Sequence, residues 1–128
     1  MRTLLDTHAF LWWLDGSEKL SQSAKRTISD EANEILISAA SAWEIATKWR
    51  LGRLSATEAV ARIIPETIAD QGFDELPITV EDATRAGLLP GPHRDPFDRM
   101  LIAQALAHEL VLISIEDCFD AYGVARLW

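Results

Sequence analysis

The sequence predicts an α/β fold with a mostly parallel central sheet, and three observations predict it. Brief apolar runs bounded by polar residues recur at Leu4-Leu5, Glu34-Ile35-Leu36-Ile37-Ser38 and Val111-Leu112-Ile113-Ser114. Each has the length of a strand, and a run of this kind suits a parallel strand covered on both faces. Longer segments with helix start and stop signals separate the runs. At 128 residues the chain has room for one domain, not for two ordinary cores.

The first strand is expected at Arg2-Thr3-Leu4-Leu5, with Asp6 at its carboxyl end. In open α/β sheets that edge is where ligands bind. Thr7 is placed to cap a short helix through Leu14, which Asp15-Gly16 stops. A polar-faced helix follows from Ser21 to near Asn33, then the second strand, Glu34 to Ser38. Ala39 to Leu51 carries a helix pattern with Gly52 as its stop. Ser55-Ala56-Thr57-Glu58 reads as a capping box, and Pro65 breaks or restarts that helix. Gln71-Gly72 is a turn, and Phe73 to Pro77 is a short strand. Thr79 and Asp82 open a helix running to Gly87. Leu88 to Arg94 is a turn-rich loop. Asp95-Pro96 opens the clearest helix, Phe97 to about Glu109, with proline at its favoured first position. Val111 to Ser114 is a strand, and Val124 to Trp128 is a short final edge strand.

Composition narrows the function. A hydrophobic fraction of 48% excludes a disordered chain. The single cysteine, Cys118, forms no internal disulfide. Charge interrupts the early apolar run, so no signal peptide is expected, and no run approaches the ~18 residues of a membrane span. A soluble cytoplasmic protein is expected. The net charge of −8 argues against a general nucleic-acid binder, which carries a basic footprint. The acids are what need explaining.

Four acids fall where a parallel sheet presents its carboxyl edge: Asp6 after the first strand, Glu44 one or two turns into the following helix, Asp98 in the first turn after the proline-rich loop, and Glu116 two residues after Ser114. Packed carboxylates raise one another's pKa, and a divalent cation removes the conflict. All-oxygen ligands suit Mg²⁺ or Mn²⁺. Such an ion activates water and stabilises a phosphoryl transition state, with no protein nucleophile required. Each acid also has an ordinary role. Asp6, Glu116 and Asp117 suit turns, Glu44 suits a solvated helix face, Asp95 suits an N-cap, and Asp98 suits the helix dipole. His8 and His93 show no metal-ligand spacing and are expected to hydrogen-bond in loops. The five tryptophans are expected in the core, with Trp12-Trp13 a candidate for a subunit interface.

Leu4-Leu5-Asp6-Thr7-His8, Ser41-Ala42-Trp43-Glu44-Ile45 and the run from Pro92 through Asp95-Pro96-Phe97-Asp98-Arg99 to Ala105 together resemble the PIN-domain ribonucleases, in particular the VapC-type toxins of toxin–antitoxin pairs. The ending, Leu112-Ile113-Ser114 through Ala121-Tyr122-Gly123-Val124, is similar too. The resemblance implies a three-layer α/β/α fold and Mg²⁺- or Mn²⁺-dependent RNA cleavage leaving a 3′-hydroxyl and a 5′-phosphate. It implies Asp6, Glu44 and Asp98 as catalytic metal ligands, with Asp95 as an additional acid. The last position departs from the pattern: Glu116 stands where the family commonly has Asp, with Asp117 as the alternative, and Ser114 is placed to orient that acid or a bound water. A homodimer and a cognate VapB-type antitoxin are also implied, and the acidic charge suits a basic antitoxin segment. The same charge repels RNA, and Arg94 and Arg99 are the expected local offsets.

Two other classes compete. A phosphoacceptor α/β domain expects a lysine in its later strands, and none follows Lys48. A catalytically inactive interaction module leaves the complete acid set unexplained. A metal-dependent DNase of the same fold shares the chemistry.

Overall fold

Leu4 and Leu5 point to opposite faces of their strand and both are wholly buried, so that strand is covered on both sides. It is β1 (Arg2–Leu5). The computed structural model describes residues 1–54 and 58–128. β2 (Glu34–Ser38), β3 (Asp74–Leu76), β4 (Val111–Ile113) and β5 (Arg126–Leu127) complete a sheet in the order β3-β2-β1-β4-β5. Every pair is parallel. The chain therefore leaves β1 in one direction through β2 and β3, and in the other through β4 and β5. The carboxyl ends beside β1 form the crevice that such a reversal opens.

Alternation along the strands sorts their side chains into two cores. Leu5, Ile35, Ile37 and Ile113 pack with Phe10 and Leu11 of α1 (Thr7–Asp15) and with Ala24 and Ile28 of α2 (Gln22–Ser29). Ile45 of α3 (Ala39–Arg50) joins this core. α4 (Glu58–Arg62) leads into α5 (Ile64–Asp70), which adds Ile64 and Ile68. Leu4, Leu36, Leu76 and Leu112 fill the other core. α6 (Val80–Leu88) packs on α7 (Pro96–Ala107), and α7 supplies Leu101, Ile102 and Ala105 to that second core. Phe119, from the 3₁₀ helix Asp117–Tyr122, closes it. Helices on both faces of one parallel sheet make the expected three-layer fold.

Most element ends obey local chemistry. Gly16 ends α1 at φ +62°. Thr79 and Asp82 exchange both hydrogen bonds of a capping box, and Asp95 caps α7 ahead of Pro96. Some expectations need correction. Asp6, not Thr7, caps α1: its Oδ1 accepts from the Ala9 amide at 2.8 Å, while Thr7 is the first helical residue. α2 stops at Ser29, short of Asn33, because Asp30 accepts from the Ala32 amide and Asn33 reaches back to the Thr27 carbonyl. α7 stops at Ala107, short of Glu109, whose φ of +54° no right-handed helix accommodates. The capping box expected at Ser55–Glu58 lies outside the described residues. The tryptophans are not core. Trp43 is 62% exposed and the other four are partly buried. Smaller aliphatic side chains, with Phe10 and Phe119, already fill both cores.

Candidate metal centre

The crevice is lined by Asp6, Glu44, Asp95, Asp98 and Glu116, together with Thr7, His8, Lys48, His93 and Cys118, around a volume of ≈ 270 Å³. Different elements deliver the acids. Asp6 continues β1, its amide donating to the Ile113 carbonyl of β4 at 3.1 Å. Glu44 lies on α3, which begins directly after β2 with Ser38 as its cap. Asp98 stands in the first turn of α7, and Glu116 follows β4.

Asp6 is 4% exposed. Burial pushes its carboxyl up to about 6; hydrogen bonds from Ser114 and the Ala9 amide and the charge of His8 oppose this, and the charge of Asp98 adds to it. Asp98 is also raised, by burial first and then by Asp95 and Glu44, while the His93 imidazole, 2.9 Å away, pulls it back. Two neighbouring acids therefore resist ionisation, and a nearby positive charge relieves both.

Glu44 is as buried as Asp6. Its Oε1 accepts the Thr7 hydroxyl at 2.5 Å, and its Oε2 pairs with Lys48 at 2.5 Å. Ser41 lies 3.1 Å from the Thr7 hydroxyl. Asp95 spends Oδ1 on the Phe97 and Asp98 amides. Ser114 is wholly buried and accepts from the Glu116 amide at 3.0 Å. One hydroxyl thus touches both the turn that carries Glu116 and the carboxyl of Asp6. Of the two alternatives for the last acid, Glu116 lines the crevice, whereas Asp117 starts the 3₁₀ helix outside it.

The arginines stand apart. Arg94 is exposed and outside the lining. Arg99 was expected to offset the charge of RNA, but its guanidinium donates to the carbonyls of Ala86, Gly87, Leu89 and His93. It ties the end of α6 and the following loop to α7, which leaves little of its fork for a substrate. Sequence reasoning missed Lys48; its signal was the four-residue spacing from Glu44. Burial first, then Asp98, Glu116 and Asp117, push the Cys118 thiol up, which disfavours its thiolate.

These donors fit a hard divalent ion, because they are carboxylate oxygens with too little positive charge between them. Among the described residues, no three acidic, histidine or cysteine side chains stand ready to enclose an ion. Glu44 is turned to Thr7 and Lys48, and Asp98 to His93.

Residues 3–124 match the family model for the PIN domain. The chain belongs to the PIN domain family. This PIN domain is 32% identical to ribonuclease VapC22 of Mycobacterium tuberculosis over 116 residues, which span 87% of this chain and 84% of that protein. It is 42% identical to ribonuclease VapC16 of the same organism over 59 residues; that match spans 46% of this chain and only 40% of VapC16. Among solved structures it resembles VapBC2 from Rickettsia felis bound to a DNA fragment from their promoter. The TM-score is 0.72 at 14% identity, covering 99% of this chain and 98% of that one. A toxin–antitoxin complex from Klebsiella pneumoniae gives a TM-score of 0.67 at 17% identity, covering 98% and 96%. At these identities the structures speak for the fold. Among the described residues of this PIN domain, no helix is long and apolar enough to cross a membrane.

Proposed function

We propose that this PIN domain is a Mg²⁺- or Mn²⁺-dependent endoribonuclease and the toxin of a VapBC-type toxin–antitoxin pair. The observation that carries the reading is the gathering of Asp6, Glu44, Asp98 and Glu116 into one crevice at the carboxyl edge of a parallel sheet. The names of the curated relatives supply the substrate, RNA.

Asp6, Glu44, Asp98 and Glu116 are the residues to hold the ion. When bound, it supplies an activated water for in-line attack on a phosphodiester and stabilises charge on the leaving oxygen. The rest of the work belongs to the chain. Ser114 and the α1 cap fix the Asp6 carboxyl. Thr7 fixes Glu44, and His93 fixes Asp98. Asp95 ties its carboxylate to the first turn of α7 and so sets where Asp98 projects. No side chain here is poised as a nucleophile, so water is the attacking group.

For partners, the reading takes a basic antitoxin segment, drawn to a chain of net charge −8. The neighbouring toxin–antitoxin complex supports such a partner. A homodimer belongs to the same reading.

The test is cleavage of a mixed RNA pool by antitoxin-free protein in Mg²⁺, Mn²⁺ or EDTA, beside Asp6→Asn. Cutting that needs the metal and disappears in the variant is expected. Cutting that persists in EDTA, or at an equal rate in Asp6→Asn, overturns the proposal.

A further inference from the structure

We propose that Lys48 is a built-in counter-cation of the acidic crevice, which a divalent ion must displace from Glu44 in order to bind. The inference rests on the reading that this crevice takes such an ion.

Lys48 follows Glu44 by four residues on α3, so both occupy one helix face. A carboxylate only 4% exposed needs a partner charge, and the Lys48 ammonium provides it at 2.5 Å. The Thr7 hydroxyl holds the other oxygen. Both Glu44 oxygens are therefore occupied, one of them by a charge that an incoming ion can replace. The charges of Asp95 and Asp98 also attract Lys48, so its ammonium stands in the field of three carboxylates. Among the described residues lining the crevice, it is the one lysine or arginine. Lysine also suits exchange. Its charge is compact, its stem is flexible, and its side chain here is 33% exposed, so the head can swing into water.

The pair then competes with the ion, and removing the ammonium strengthens ion binding. If Lys48 instead held Glu44 in the binding position, removing it would weaken ion binding. Calorimetric titration of Mn²⁺ into the full chain and into Lys48→Met separates the two, with thermal melts to establish that the variant is folded. We expect the variant to bind Mn²⁺ about fivefold more tightly, the size of one partly exposed ion pair. Equal or weaker binding by a folded variant overturns the inference.

Should Lys48→Met fail to fold, the unaltered chain gives the answer by brief acetic anhydride labelling read by mass spectrometry. Saturating Mg²⁺ should speed acetylation of Lys48 relative to exposed Lys19; an unchanged or slower relative rate overturns the inference. Neither readout uses RNA. Metal-dependent RNA cleavage with equal Mn²⁺ affinities removes the inference and leaves the proposed function. No Mn²⁺ binding by either chain overturns both.

Discussion

Asp6 Oδ1 lies 2.8 Å from the Ala9 amide nitrogen, so the carboxylate that ends β1 also starts α1. The cap fixes an acid at the centre of the sheet edge, where burial outweighs the hydrogen bonds and the His8 charge that favour its ionised form.

Replacing that charge should stabilise the protein while removing its activity. Unfolded, the Asp6 carboxyl titrates near 3.8; folded, near 6. Between those values the folded chain holds more protons, so the stability is full below about pH 4, falls as pH rises, and levels off above about pH 6. The loss is roughly 3 kcal/mol. Asparagine keeps an oxygen for the cap. Metal-free Asp6→Asn is therefore expected to melt above the unaltered chain at pH 7, with the gap closing towards pH 4. A variant that melts lower at pH 7 contradicts the assignment.

Arg99 should matter for stability. Its guanidinium serves four carbonyls between Ala86 and His93, and lysine cannot match a planar fork. Arg99→Lys is expected to lose about 2 kcal/mol in denaturant unfolding. Arg94→Ala should unfold like the parent and instead raise KM for RNA by a few-fold, with kcat kept. An unchanged KM removes Arg94 from the substrate path.

A buried relay ties β2 to α7. The Ser38 hydroxyl donates to Gln104 Oε1 at 2.6 Å, and Gln104 Nε2 donates to the Pro77 carbonyl and to Asp82. Gln104→Leu strands these groups out of water and should cost about 2–4 kcal/mol by urea unfolding. A neutral outcome means water replaces the amide.

Tyr122 supports the site from the 3₁₀ helix. Its hydroxyl accepts from the His93 amide at 3.1 Å. A Cβ at Gly91 meets that oxygen at 2.7 Å, at a φ of +97° that side chains rarely adopt. Gly91→Ala should therefore disturb His93 and, through it, Asp98. Weaker Mn²⁺ binding and a lower melting temperature are expected, whereas Tyr122→Phe should cost only about 1 kcal/mol. Parental Mn²⁺ affinity in Gly91→Ala would mean that the loop does not position Asp98.

The legible parts of the sequence were those that local chemistry decides. Glu34–Ser38 reads as a strand because its apolar run is continuous, and the structure returns the same bounds. Asp6 and Glu44 could be placed at the sheet edge because each follows such a run closely. The role of Arg99 was hidden because its partners are backbone carbonyls, which no residue pattern marks. The tryptophans misled because size suggests burial, whereas helix phase decides it: Trp43 precedes buried Glu44 on α3 and turns outward to meet Phe97 edge-on, with 5.0 Å between ring centres. Lys48 is visible only through its four-residue spacing from Glu44, a pattern that an ordinary solvated helix face shares.

Asp6, Glu44, Asp98 and Glu116 are proposed to hold a catalytic divalent ion. The most direct measurement is anomalous X-ray scattering from crystals of the protein soaked in Mn²⁺. Manganese density is expected in the crevice within coordination distance of Asp6 and Asp98, and it should be lost in Asp98→Asn. Manganese bound elsewhere, or an empty crevice at Mn²⁺ concentrations that support RNA cleavage, would contradict it.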